Sequence, residues 1–179
     1  MNIKTFLFLR YFNKKKHKTS SNFVNFDKIK KILLLADTVC LDNNELNKIV
    51  GRYEQEGKQI KTLIYSDKIN FPKEISQNFW NKAIFSKRDT NFFSRPKAHI
   101  LNDIAAHDFD LLIDLNATPS LPTMYTVATA NATCKIGLQE LEISIYDIVI
   151  DVNLLETKRE NSNLITVFEK IDFYLKKIK

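Results

Sequence analysis

The sequence contains little glycine, proline and cysteine for its length. Its 179 residues include 3 Gly, 4 Pro, 2 Cys and 1 Trp. So few glycines and prolines exclude collagen-like and low-complexity chains. Cys40 and Cys134 form neither a CxxC motif nor a Cys/His zinc spacing, which excludes a disulfide framework and a zinc finger. We therefore expect reduced thiols and a cytoplasmic protein.

Long apolar runs and phosphate-binding glycine loops are also missing. No apolar run approaches the ~20 residues that cross a bilayer. Neither G-x-G-x-x-G nor G-x-x-x-x-G-K-S/T occurs, so the chain lacks the loops that hold the phosphates of dinucleotides and nucleoside triphosphates. These patterns predict no cofactor, no metal site and no transmembrane segment.

Aromatic and aliphatic residues, by contrast, are plentiful. The 13 Phe and 6 Tyr, within a hydrophobic content of 44%, supply the apolar surface that disordered chains lack. A chain of this size can bury roughly 70% of the surface that its unfolded state exposes. We therefore expect one folded domain.

Positive charge is concentrated at the amino terminus. Residues 1–31 hold nine Lys or Arg and one acid, whereas the rest of the chain holds 18 basic and 20 acidic side chains. We assign a basic arm to residues 1–22 and a single, nearly neutral domain to residues 23–179. One interpretation of the arm is weak contact with an acidic surface, lipid or RNA, through Lys14, Lys15, Lys16 and Lys18. A docked helix followed by a solvated tail is the other.

The arm begins with an amphipathic pattern. Ile3, Phe6, Leu7 and Tyr11 fit one face of a short helix. Arg10 interrupts the apolar run and no small-residue cleavage site follows it, so the segment does not have the pattern of a signal peptide.

Short apolar strands alternate with helical periodicity over the rest of the chain. The predicted strands are 32–36, 60–65, 82–85, 109–115, 133–137 and 146–151, and predicted helices begin near Asp42 and Asn43, Pro96, Ser120 and Ser162. Such alternation is typical of a parallel sheet with helices on both faces. With right-handed crossovers it predicts an α/β fold, a three-layer Rossmann-like sandwich with a mostly parallel sheet, plus the basic N-terminal helix or arm.

The last predicted helix has a wide apolar stripe, formed by Leu164, Phe168, Ile171, Leu175 and Ile178 and widened by Val167 and Tyr174. We expect this stripe to cover the sheet beside the helix at 43–56, because an open aliphatic sheet face would aggregate. Truncation after Thr157, or Phe168→Asp, is then expected to prevent folding. If the stripe is instead a partner surface, the Phe168→Asp chain should remain folded.

Polar residues follow several of the predicted strands. Ligands bind beyond the carboxyl ends of parallel strands, where the sequence places Asp37, Asp114 and Asn116. Paired carboxylates can serve as general acid and base, so these three residues are the candidate site. The alternative is that they accept hydrogen bonds from loop amides or cap the next helix. No catalytic role is assigned to them.

The histidines and cysteines form no catalytic set. His17 lies in the Lys tract, and His99 and His107 lie near the two ends of one predicted helix. Cys40, in the loop after the first strand, could act as a nucleophile only if a nearby group lowered its pKa. Cys134, inside an apolar strand, is predicted to belong to the core.

One stretch of about 30 residues resembles the N-terminal domain of heptosyltransferase-like glycosyltransferases. It runs from FDLLIDLN at 109–116, through an Ala-containing helix, to CKIGL at 134–138. The chain departs from that family in the loop after the first strand and in having no sugar-nucleotide domain. No catalytic residue carries over.

A second resemblance covers nearly the whole chain. The basic N-terminal helix, IYSDK at 64–68, the FDLLI strand, the KIG strand and the C-terminal helix resemble an uncharacterised family of short α/β proteins from Bacteroidota. This resemblance implies the fold and no activity.

Three interpretations of function follow. The leading one is a non-catalytic or unassigned Rossmann-like binding domain, because the core pattern is clear and no catalytic constellation stands out. The second is an enzyme acting on glycosyl or nucleotide substrates through Asp37, Asp114 and Asn116. The third is contact of the Lys-rich arm with an acidic surface.

Overall fold

Helices and strands alternate along the chain, as the sequence predicts. The computed structural model describes residues 2–15, 25–37, 43–68, 82–139, 141, 143–150 and 164–177. Its elements are α1 (Ile3–Lys15), β1 (Lys31–Asp37), α2 (Asn43–Gln55), β2 (Gln59–Ser66), β3 (Lys82–Ser86), α3 (Ala98–Ala105), β4 (Asp108–Asp114), α4 (Leu121–Thr129), β5 (Asn131–Gly137), β6 (Ile148–Val149) and α5 (Leu164–Lys177). The strands form one six-stranded sheet in which all neighbours are parallel. The α/β prediction is confirmed.

The order of the strands reverses between β1 and β4. The sheet order is β3-β2-β1-β4-β5-β6, so the chain moves outward from β1 to β3 and then returns to the other side of β1. Leu35 of β1 pairs with Asp114 of β4, and the Leu115 N–H donates to the Leu35 carbonyl at 2.9 Å. The carboxyl ends of β1 and β4 thus meet at a topological switch point, where doubly wound folds usually bind their ligands.

The central strands are buried on both faces because their apolar residues are continuous. In β1, Ile32 and Leu34 belong to the core on one face, whereas Leu33 and Leu35 belong to the core on the other. All four are at most 1% exposed. Helices α2 and α5 cover the first face, and α1, α3 and α4 cover the second, which completes the three layers.

Aliphatic and aromatic side chains of α2 and α5 close the first face. The Tyr53 ring of α2 meets the Phe168 ring of α5 edge to face, with centroids 4.9 Å apart. Phe168, Ile171 and Leu175 are at most 1% exposed, which confirms that the α5 stripe packs on the sheet. Tyr174 was wrongly included in that stripe, since it is 45% exposed. Ser162 and Ile178 lie outside the described residues.

A charged cluster links α2 to α5 at the edge of this core. Asp172 is 3% exposed, and its carboxylate lies 3.1 Å from both the Arg52 guanidinium and the Lys176 ammonium. Lys176 also contacts Glu56, in the turn after α2, at 2.8 Å. Ion pairs as well as apolar contacts therefore join α2 and α5, which are far apart in the sequence.

The N-terminal helix packs on the second face, mainly through residues outside the predicted side. Phe8 is 0% and Phe12 is 9% exposed, whereas Ile3 is 64% and Phe6 is 50% exposed. The Phe8 ring contacts the Tyr125 ring of α4 edge to face at 5.0 Å. Of the predicted face, Tyr11 packs against this core whereas Ile3 and Phe6 do not. Residues 6–9 are all apolar, so periodicity alone could not orient the helix. The proposed boundary at residue 22 lies outside the described residues.

The last strand is shorter than predicted. The sequence predicts a strand over 146–151, whereas β6 comprises Ile148 and Val149 alone. Tyr146 instead turns inward, where it is 8% exposed. Asp151 lies outside the described residues.

Candidate functional site

The three candidate site residues lie at the carboxyl edge of the sheet, at the switch point. Asp37 ends β1, Asp114 ends β4, and Asn116 follows two residues later. Asp37 is half-buried, whereas Asp114 is 0% and Asn116 is 1% exposed. The parallel register brings the two carboxylates to one edge, as the sequence predicts for strands of this kind.

Both oxygens of the Asp114 carboxylate are engaged within the chain. The Tyr146 hydroxyl donates to Oδ2 at 2.7 Å, and the Asn116 backbone N–H donates to Oδ1 at 3.0 Å. Burial raises the pKa of Asp114 to about 6; the bonds from Tyr146 and Asn116 oppose this rise, and nearby Asp37 adds to it. The bond to Asn116 fixes the turn after β4, which is the structural role that the sequence offered as the alternative to catalysis.

Tyr146 contacts the candidate site and was not predicted from the sequence. Burial, together with the adjacent Asp114 carboxylate, raises the pKa of the Tyr146 hydroxyl far above its ordinary value. Its ring lies against Gly137, where an added Cβ would come within 2.5 Å of the ring carbons. The glycine of the KIG segment is therefore needed for this close approach. Nothing local marks Tyr146 as a partner of Asp114, which lies 32 residues earlier.

The Asn116 side chain is the unusual element of this edge. Nδ2 and Oδ1 make no hydrogen bond of ordinary geometry to the described residues, although the amide still helps to lower the pKa of the neighbouring Asp114 carboxyl. A buried amide without partners is costly to folding, and such groups call for a structural or functional explanation. The loop at 38–42, which leads away from β1, is outside the described residues.

The cysteines and histidines do not join this edge in the described part of the chain. Cys134 is 3% exposed, as predicted for a core residue, and burial raises the pKa of its thiol to about 12. His107, between α3 and β4, is hydrogen-bonded through Nδ1 to the Asp103 carbonyl at 2.7 Å. Within the described ranges, no three His, Cys, Asp or Glu side chains are grouped as metal ligands. Cys40 and His17 lie outside those ranges.

A second candidate site lies on α1, far in sequence from the first. A groove of about 510 Å³ separates α1 from the turn at 91–95; it is lined by Leu7, Arg10, Tyr11, Lys14, Lys15, Asn91, Phe93, Arg95 and Tyr125. None of these nine residues is acidic. We call it the basic groove. Two of the four lysines assigned to an acidic surface, Lys14 and Lys15, line it, whereas Lys16 and Lys18 lie outside the described residues.

Aromatic contacts hold the basic groove together. The Arg95 guanidinium lies over the Tyr11 ring, 4.6 Å from its centroid. The Tyr11 hydroxyl is hydrogen-bonded to the Thr129 hydroxyl of α4 at 2.6 Å, and its ring meets that of Tyr125 at 5.1 Å. The sequence identified the lysines of this site but not Arg95 or Phe93, because α1 meets the 91–95 turn only in the folded chain.

A larger cavity, of about 630 Å³, lies at the opposite edge of the sheet. It is bordered by the amino-terminal residues of β1, β2 and β4, and Lys61 pairs with Asp103 beside it at 2.7 Å. Parallel sheets of this class bind ligands at their carboxyl edge. We therefore do not assign a site to this cavity, despite its size.

Comparisons with known proteins agree with the resemblance to an uncharacterised family. None of the helices in the described ranges is long and apolar enough to span a membrane. A search of curated proteins found no significant match. The sequence matches a family of unknown function, DUF6913, over residues 4–177, and the chain therefore belongs to that family.

Proposed function

We propose that this member of DUF6913 is a non-catalytic binding domain and that its partner is acidic. The observation that carries the proposal is the basic groove, where Arg10, Lys14, Lys15 and Arg95 face one space without an acidic residue among its lining. Four cations around one concavity attract a polyanion, because their fields add at short range. The family match begins at residue 4, so it includes nearly all of α1.

The organisation of the carboxyl edge also favours binding over catalysis. A general acid or base must reach the proton it transfers. Asp114 is fully buried and both its oxygens already accept hydrogen bonds from the chain. We interpret it as a residue that holds the turn after β4 rather than one that contacts substrate. The proposal includes the cytoplasmic location that the sequence predicts, which suits the buried, free thiol of Cys134.

Heparin chromatography of two charge-matched variants tests the acidic partner. The first variant carries Arg10→Glu, Lys14→Glu and Lys15→Glu. The control carries Lys28→Glu, Lys48→Glu and Lys177→Glu, which are exposed on the α2 and α5 side of the molecule. The net charge changes equally, so we expect the groove variant to elute at much lower salt than the control. Elution of both variants at the same salt would contradict the proposal.

Melting temperatures of the two variants complete the test. All six side chains are exposed, so their replacement should alter stability little. If the groove variant no longer binds heparin but melts at the same temperature as the control, it has lost a binding surface and kept its fold.

An enzyme acting on glycosyl or nucleotide substrates is the second candidate. The observation that favours it is the Asn116 amide, which is buried beside Asp114 at the switch point and whose Nδ2 and Oδ1 make no hydrogen bond of ordinary geometry in the described chain. Under this candidate, Asn116 and Asp37 would contact the substrate. That substrate would be similar to those of the glycosyltransferases, whose N-terminal domain contains a strand that resembles β4. The absence of a glycine loop counts against a nucleotide phosphate at this edge.

Thermal-shift measurements with nucleotides and sugar nucleotides test this candidate. A rise in melting temperature that Asn116→Ala abolishes would support it, because a ligand that binds only the folded state stabilises that state. No shift at millimolar ligand would count against the whole substrate class.

A further inference from the structure

The surface beside the basic groove exposes apolar side chains. Phe92 is 83%, Ile3 is 64% and Phe6 is 50% exposed. The Lys4 ammonium lies 5.7 Å from the centroid of the Phe92 ring, so the start of α1 and the tip of the 91–95 turn are adjacent. Ile3 and Phe6, three residues apart, share one side of the helix. Apolar side chains concentrated in this way indicate an interaction surface.

The turn that carries Phe92 is held in a defined conformation. The Asn91 side-chain oxygen accepts hydrogen bonds from the N–H groups of Phe93 at 2.9 Å and Arg95 at 3.0 Å. The Asn91 N–H donates to the Arg95 carbonyl at 2.9 Å, and Thr90 and Pro96 form an antiparallel bridge below it. The exposure of Phe92 is therefore built into the turn, and little conformational entropy is lost when the ring enters a partner.

Cations surround these apolar residues. Lys4 and Arg10 lie on α1 beside Ile3 and Phe6, and Lys14, Lys15 and Arg95 line the basic groove. Apolar side chains next to Lys and Arg are typical of segments that lie in a membrane interface. Near an anionic leaflet, each such cation strengthens binding about fivefold.

The same residues fit a nucleic acid less well. Phe92 and Phe6 are open rings, but binding of a single strand needs a series of open aromatic faces along the cationic groove. In the basic groove the Tyr11 face is covered by Arg95 and Tyr125 is 2% exposed. Ile3 has no aromatic ring on which a base could stack. A bilayer interface accepts aliphatic and aromatic side chains alike.

We infer that α1 and the 91–95 turn dock on an anionic phospholipid bilayer. Phe92, Ile3 and Phe6 enter the boundary between headgroups and acyl chains, while Lys4, Arg10 and the cations of the basic groove contact lipid phosphates. The inference rests on the proposed function, since it specifies the acidic partner of that surface.

Vesicle flotation of the full chain tests the inference. The vesicles are pure phosphatidylcholine and an equimolar mixture of phosphatidylcholine and phosphatidylglycerol. We expect the wild-type chain to float with the mixed vesicles only. Phe92→Ser should weaken that binding about tenfold, because the ring no longer leaves water, while heparin retention and melting temperature stay unchanged. The matched control is Phe173→Ser, which removes a ring that is 53% exposed on α5 and should bind like the wild type.

Each other outcome contradicts a specific step. If Phe92→Ser binds mixed vesicles as tightly as Phe173→Ser, the ring does not enter the bilayer and the inference is wrong. If the wild type binds heparin and RNA but not mixed vesicles, the partner is a nucleic acid, and the proposed function survives without the bilayer. If it binds neither vesicles nor heparin, the proposed function itself fails.

Fluorescence of a Phe92→Trp chain gives an independent measurement. A Trp that enters the headgroup boundary should shift its emission to shorter wavelength when mixed vesicles are added. The wild type, whose single Trp is Trp80, provides the background. An emission spectrum that vesicles change no more than that of the wild type would overturn the insertion of residue 92.

Discussion

The two faces of the sheet are closed in different ways. On the α2 and α5 face, the acid at the core edge, Asp172, is paired with Arg52 and Lys176. On the opposite face, α1 closes the core with Phe8 and Phe12 and presents its cations to an open groove. Asp172, Arg52 and Lys176 join α2 to α5, whereas cations of α1 line the basic groove. Under the proposed function, the α1 face is the one that binds the partner.

The largest expected effect is on the α2 and α5 face. Phe168→Asp places a carboxylate at a position that is 1% exposed, and burying an unpaired charge there should exceed the ~5 kcal/mol at the lower end of domain stability. We expect insoluble or unfolded protein, and the same after truncation at Thr157. Phe173→Asp, at a position 53% exposed on the same helix, should melt cooperatively. Circular dichroism melts of the soluble fractions would measure both, and a folded Phe168→Asp chain would make α5 an interface helix.

The next largest effect is expected on α1, and it tests whether this helix is part of the hydrophobic core on the second face of the sheet. Phe8→Ala removes a side chain that is 0% exposed and contacts Tyr125, and should lower the free energy of unfolding by about 3–5 kcal/mol. Phe6→Ala, at a half-exposed position two residues away, should change it by less than about 1 kcal/mol. Urea denaturation compares the two. Equal, small effects would show that α1 is a detachable arm.

The third prediction concerns the pH dependence of stability that the buried Asp114 carboxyl causes at the switch point. The pKa of Asp114 is about 6 in the folded chain against an ordinary 3.8, so the folded chain binds this proton more tightly than the unfolded chain does. The stability that Asp114 contributes is therefore fully present below the unfolded-state pKa of 3.8. It is lost as the pH rises from there through the folded-state pKa of about 6. Relative to wild type, Asp114→Asn should gain about 2–3 kcal/mol in unfolding free energy between about pH 4 and about pH 7.

Urea denaturation of both chains across that pH range measures the difference. A difference that stays constant with pH would mean that Asp114 titrates at its ordinary value. The result also bears on the comparison with Asp172. Asp172 is paired with the cations Arg52 and Lys176, whereas Asp114 accepts hydrogen bonds from a hydroxyl and a backbone amide.

The smallest expected effect concerns the contact between Tyr146 and β5. Gly137→Ala brings a Cβ within 2.5 Å of the Tyr146 ring, and such overpacking costs about 1–3 kcal/mol. Gly51→Ala is the control, because a Cβ there meets nothing within 4 Å, and in the α2 helix it should stabilise by up to about 1 kcal/mol. Thermal melts should move in opposite directions. A Gly137→Ala chain as stable as wild type would show that the ring shifts without cost.

Much of the fold and part of the site could be predicted from the sequence. The continuous apolar run at 32–36 predicted β1, and the helical periodicity of the stripe through Phe168 and Ile171 predicted the buried face of α5. The sequence placed Asp37, Asp114 and Asn116 at the carboxyl ends of strands, where the structure has them; a functional role for them stays a prediction. Tyr146 could not be predicted, because its hydrogen bond to Asp114 joins segments 32 residues apart.

The sequence by itself determined the element types, the parallel sheet and the concentration of cations near the amino terminus, because each of these follows from local spacing of apolar and charged residues. Only the tertiary structure decided which side of α1 is buried, since Phe6, Leu7, Phe8 and Leu9 are all apolar and the contact with Tyr125 selects Phe8. The same packing brings Arg95 onto Tyr11 and Phe92 beside Lys4. Local patterns cannot encode such pairings, because they depend on how α1 and the 91–95 turn meet over α4.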